Sequence, residues 1–167
     1  MPVERDPAAD LRSKFKQVVI DIEIKAVTPR AIHVALAIDR IDCDRARMGQ
    51  LLSNLLSNAV THGSPDLPVR VEARVLDAIF QLTVSNASAP IPAAVLRGLF
   101  QPFSRGKDCK GSGIGLGLYI ASEIARAHGG HLTAEMQAGK VVFTMTMPAA
   151  APAEEQRRIA RSAAPKV

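Results

Sequence analysis

At 167 residues, 47% of them apolar, the chain is long enough for one domain with a real core and too short for two comfortable ones. A formal charge of +5 with one Tyr, five Phe and no Trp lacks the basic stripe with interleaved aromatics that a nucleic-acid surface needs, and no apolar run reaches membrane-spanning length. Cys43 and Cys109 share neither CxxC nor metal-ligand spacing, and the N-terminus has no signal-peptide core, so the expectation is a soluble cytoplasmic chain without nucleic-acid or membrane contact.

Residues 1–10, polar with two prolines, read as a flexible lead-in. Leu11, Phe15, Val18, Val19, Ile22 and Ala26 then make a helical stripe that stops before Thr28-Pro29. AIHVALAI, Ala31 to Ile38, reads as a strand, with His33 an exposed strand residue rather than a ligand. From Asp44 to Gly63, Leu51, Leu52, Leu55, Leu56 and Ala59 mark the buried face of an amphipathic helix capped by Asp44. At roughly 100° per residue, Asn54 and Asn58 stack on one line of that helix, with Thr61 and His62 a turn further on. Mid-helix asparagine costs helix propensity, so this line either serves a ligand or is a polar face bonded to water or a loop.

Val69, Val71, Ala73 and Val75 alternate with Arg70, Glu72 and Arg74, and Phe80, Leu82 and Val84 repeat the alternation after Asp77-Ala78, which predicts a hairpin ending at Asn86. NASAPIP is loop chemistry, Ala93 to Leu99 a short helix, and Phe103 to Ser112 a charged, glycine-bearing stretch expected to be mobile. GSGIGLGLYIASEIARAHGG follows: alternate glycines run into a helix whose Leu116, Ile120, Ile124 and Ala127 are expected to face the core, with Gly129-Gly130 closing it. HLTAEMQA and KVVFTMTMP make a last hairpin around Gly139, so the folded domain is expected over 11–148 and a disordered or loosely helical tail over 149–167.

A glycine-rich loop opening a helix lets first-turn N–H groups approach an anion, and Gly113, Ile114, Gly115 and Leu116 are the candidate donors; close helix packing is the alternative use of such glycines. GSGIGLGL carries no GK[ST] and lacks the acidic residue expected after a following strand, which disfavours the Walker and dinucleotide-binding loops.

Taken together, NLLSNAVTHG, a hairpin ending in Asn86, LFQPFSRG and GSGIGLGL with a helix ending HGG resemble, in order and spacing, the ATP-binding domain of sensor histidine kinases in the GHKL ATPase superfamily, over about Leu11 to Pro148. Within it the chain looks most similar to bacteriophytochrome-like kinases. The resemblance implies an α/β two-layer sandwich, a mixed, mostly antiparallel sheet covered on one face by three helices, with ATP held beneath a flexible lid. It further implies that Asn58 coordinates Mg²⁺, that Asn54 stands where related ATPases carry a general-base glutamate, and that His62 packs on adenine. Phe100 and Phe103 resemble the lid anchors, plain core packing being their other reading, and Arg105 is close enough to reach a phosphate. The implied activity is transfer of the γ-phosphate to a histidine on a separate upstream dimerisation domain, with a response regulator downstream.

Several positions depart from the family pattern. Thr61 replaces a phosphate-binding lysine; Asn86, which would accept from the adenine amino group, replaces an aspartate; Ser88 and Pro90 replace both glycines of DxGxG. They leave two alternatives beside the histidine kinase: a stand-alone GHKL serine kinase of the anti-sigma type, and a degenerate interaction module without catalysis.

Overall fold

The computed structural model describes residues 2–103, 115–150, 157 and 161. Its elements in chain order are β1 (Asp6–Asp10), α1 (Leu11–Lys25), β2 (Ile32–Ala37), β3 (Arg40–Cys43), α2 (Arg45–His62), β4 (Val69–Leu76), β5 (Ile79–Ala87), α3 (Ala93–Gly98), α4 (Gly117–Ala127), β6 (His131–Gln137) and β7 (Lys140–Pro148).

Five strands form one sheet in the order β2-β4-β5-β7-β6. Only β2 and β4 run parallel, because α2 supplies the crossover between them; β5, β7 and β6 join by antiparallel pairing. The alternation in the sequence becomes two faces. Val69, Val71 and Ala73 of β4, Phe80, Leu82 and Val84 of β5, and Val141, Phe143 and Met145 of β7 are buried under the helices, while Arg70, Glu72 and Arg74 point to water. The expected β4–β5 hairpin closes through Asp77 (φ 50°) and Ala78 (φ 60°), the paired left-handed residues of a tight two-residue turn. The architecture is the anticipated two-layer α/β sandwich, a mixed sheet with α1, α2 and α4 on one face.

The lead-in reading needs correction. Asp6–Asp10 is a strand, β1, paired antiparallel with β3 and bulged between Asp6 and Ala9. Neither short strand shows a period-2 pattern, so each is a strand only because the other is its partner. Asp10 then caps α1: its side chain accepts from the Ser13 N–H and hydroxyl, which holds its carboxyl below the ordinary value.

In α4 the helical period holds but its phase differs. Leu118, Ala121, Ile124 and Ala125 are buried, whereas Leu116, Ile120 and Ala127 are half-buried. α4 packs against α2, and the small side chains Ala121 and Ala125 let two helices come close. Gly129 (φ 77°) takes the left-handed cap position as anticipated. No helix among the described residues is long and apolar enough to cross a membrane.

Candidate functional site

The N-cap of α2 is Asp44, whose carboxylate accepts from Arg47 N–H at 3.0 Å. Leu51, Leu52, Leu55, Leu56 and Ala59 are fully buried, which fixes the rotation of the helix and turns the other line outward. Asn54 and Asn58 lie half-buried on that line and His62 is exposed at its end. A Cβ placed on Gly117, the first residue of α4, would stand 3.8 Å from Asn54 Cγ and Oδ1, so the asparagine line meets the start of α4. Leu116 at the N-cap makes no side-chain capping bond, and no acidic residue occupies the first turn of α4, leaving first-turn N–H groups available to an anion. Gly115 (φ 72°) adopts the left-handed backbone that brings the chain into that turn.

Asn86 sits at the end of β5, 2% exposed, facing the C-terminus of α2. Its Nδ2 donates to the Ala87 carbonyl at 3.2 Å and would lie 2.6 Å from a Cβ on Gly63. Among the described residues two buried side-chain amide atoms find no partner: Asn54 Nδ2 and Asn86 Oδ1. Each such atom costs about 1–3 kcal/mol unless something else bonds it. The structure thus brings Asn54, Asn58, His62, Asn86, Gly115 and Leu116 to the C-terminal half of α2. Arg105, Gly113 and Ile114, with most of the Phe103–Ser112 loop, lie outside the described residues. The Phe100 ring meets Phe143 edge-on at 6.4 Å and so packs on the core, whereas Phe103 is 67% exposed with φ 57°.

Two positions that shape this site carried no sequence signal. Arg30 closes the C-terminus of α2, donating from Nη1 to Val60 O at 2.8 Å, from Nη2 to Ser64 O and from Nε to Leu67 O at 3.3 Å. A guanidinium there satisfies carbonyls that a helix end leaves open. At the other end of the helix pair, His128 is 1% exposed. Its Nδ1 donates to Ile124 O at 2.8 Å, since a carbonyl can only accept, and its Nε2 accepts from the Asp44 N–H at 3.0 Å. That pairing requires the neutral ring, and burial pushes the imidazole pKa down. HGG announced a helix end without showing what its histidine holds.

The family model for histidine kinase-, DNA gyrase B- and HSP90-like ATPases matches residues 43–151. A bacteriophytochrome of Pseudomonas aeruginosa is 32% identical over 145 residues, covering 83% of this chain but 20% of its own length, so the chain spans about a fifth of that relative. The catalytic domain of histidine kinase ThkA superposes with TM-score 0.76 at 25% identity over 90% of this chain and 97% of its own. Full-length ShkA in complex with AMPPNP shares the fold, with TM-score 0.77 at 24% identity over 92% of this chain and 33% of its own. With this match over more than half of the chain and the asparagine line placed against the start of α4, the chain belongs to the histidine kinase-, DNA gyrase B- and HSP90-like ATPase family, in the form of a histidine kinase ATP-binding domain.

Proposed function

We propose that the chain holds Mg-ATP between α2 and the start of α4 and presents the γ-phosphate to a histidine on a separate dimerisation domain, from which a response regulator in the cytoplasm receives it. The observation that carries this reading is the pair of orphan amide atoms, Asn54 Nδ2 on α2 facing the start of α4 and Asn86 Oδ1 on β5 beside the C-terminus of α2. Asn86 Oδ1 suits the adenine amino group as an acceptor, and Asn54 can orient a polar group but cannot take a proton at neutral pH. Among the described residues no cluster of three or more His, Cys, Asp or Glu could hold a metal, so the amide oxygen of Asn58 and the phosphates would hold Mg²⁺. When bound, the ion would neutralise phosphate charge. His62 would lie against the base, Gly113, Ile114, Gly115 and Leu116 would donate N–H groups to the phosphates, and Arg105 would add a cation.

The acceptor belongs to another domain because none of the four histidines here suits it. His33 stands exposed on β2, His62 ends α2, both ring nitrogens of His128 are engaged in the core, and His131 lies beside Thr146 on the sheet. Calorimetry with Mg-ATP, followed by incubation with γ-labelled ATP, tests the reading. Binding is expected, with acid-labile label appearing only on an upstream helical domain supplied in trans. No binding heat, or stoichiometric phosphohistidine on this chain alone, would overturn it.

A second reading, a domain that keeps the fold but binds nucleotide weakly, is favoured by the loop after Asn86. There Ser88 Oγ donates to Ala89 O at 2.8 Å and Pro90 brings no N–H donor. The same titration separates the two by affinity.

A further inference from the structure

The helices that flank the candidate nucleotide site are antiparallel and touch at two defined places. Asn54 of α2 meets Gly117 of α4 at the site, and Asp44 at the start of α2 meets His128 at the end of α4. Ten residues separate Asp44 from Asn54 and eleven separate His128 from Gly117, about 15 and 16.5 Å at 1.5 Å per residue. Two helices of matched length, packed together through Ala121 and Ala125, are therefore also joined at the far end by the bond from Asp44 to this imidazole.

That imidazole is tightly surrounded. Asp44 N–H is its donor, and the Asp44 carboxylate is occupied by Arg47 N–H at 3.0 Å and Glu4 N–H at 3.1 Å. From the N-terminal segment, Arg5 Nη2 donates to the His128 carbonyl at 3.4 Å while its Nε lies 3.9 Å from Asp42 Oδ1 of β3, both side chains nearly buried. The charged groups acting on the ring are thus Arg5, which like burial opposes its protonation, and Asp42 and Asp44, which favour it; burial is the largest influence and the net shift is downward.

We propose that His128 is a positioning residue: as the neutral acceptor of the Asp44 N–H, it sets the placement of α4 against α2 and so of Gly117 against Asn54. This rests on the nucleotide reading above for its consequence but not for its geometry. Protonation puts a second N–H on Nε2, facing the Asp44 donor, and the pin is lost. Burial lowers the native ring below the ordinary histidine value of 6.5, so the pin is intact at and above that value and is lost only as pH falls through the depressed native midpoint.

Three measurements test this. Mg-ADP affinity of the full chain, measured by calorimetry about one pH unit above and about one below the native His128 midpoint read from its ring NMR signals, is expected to fall about three- to tenfold in the wild type, the scale of one lost hydrogen bond. His128→Gln, whose amide oxygen can still accept but does not titrate, should hold its affinity across the same range, and His128→Phe should be weak at both. Third, without nucleotide, the side-chain amide signal of Asn54 and the backbone amide of Gly117 should shift with the midpoint of the His128 ring in the wild type and stay fixed in His128→Gln. An affinity profile in His128→Gln that matches the wild type, or a His128 titration that leaves the Asn54 and Gly117 signals unmoved, overturns the proposal. If those signals track His128 but no nucleotide binds, the positioning role stands and the nucleotide reading falls instead.

Discussion

Gly63→Ala is the sharpest probe of how the end of α2 is packed. Gly63 has φ −77°, a value any residue adopts, so the substitution introduces no backbone strain and tests space alone. The added Cβ would lie 2.6 Å from Ala59 O, 2.6 Å from Asn86 Nδ2 and 2.8 Å from an Arg30 guanidinium nitrogen. None of the three can yield freely. Ala59 O accepts the Gly63 N–H at 2.9 Å as the last turn of the helix, Asn86 is buried, and Arg30 spans three carbonyls. Overpacking of this kind costs about 1–3 kcal/mol, which in a chain of this size lowers Tm by about 2–12 °C. Gly117→Ala is the control: its Cβ meets Asn54 at an ordinary 3.8 Å, and alanine in place of helical glycine is worth up to about 1 kcal/mol in favour of folding. Urea denaturation followed by circular dichroism gives both values. Equal stability for Gly63→Ala and the wild type would refute the close packing of α2 against Asn86 and Arg30.

Asn58→Ala should weaken Mg-dependent nucleotide binding by about 1–3 kcal/mol, read as the difference between titrations with and without Mg²⁺; an equal loss in both would take Asn58 away from the metal. Asn86→Asp should sharpen the preference for ATP over GTP, since a carboxylate accepts only, and an unchanged affinity ratio would separate Asn86 from the base. Cys43 is fully buried and its thiol is pushed up to about 12, chiefly by burial, so in a Cys109→Ser background it should resist thiol reagents at about pH 8 until the chain is unfolded. Stability should fall as pH drops below 6.5, because the unfolded chain protonates His128 there while the native ring, its pKa depressed, does not; His128→Gln should remove that slope, and the separate loss through Asp10 should begin only below about 3.8.

Much of this molecule is legible from local pattern. The leucine rhythm of α2, its Asp44 cap, both hairpins with their turns and the break at Gly129 are short-range properties, written in residues two to four positions apart. The asparagine line and the glycine loop were equally visible, because a mid-helix asparagine and alternate glycines each go against local propensity. The phase of α4 was not visible: periodicity tells that a helix has a buried face, but Ala121 and Ala125 become core only once α2 lies against them.

What tertiary structure alone decided are the pairings between distant positions. β1 and β3 are strands only as each other's partners. The Asp44–His128 bond spans 84 positions and Arg5–His128 spans 123, and Arg30 reaches 30 and 34 positions ahead to close α2. No periodicity or spacing encodes such contacts, since each depends on where independently formed elements come to rest. For the same reason the unpaired atoms of Asn54 and Asn86 emerge only in the fold: a sequence lists every donor and acceptor, and only packing determines which of them lose water without gaining a partner.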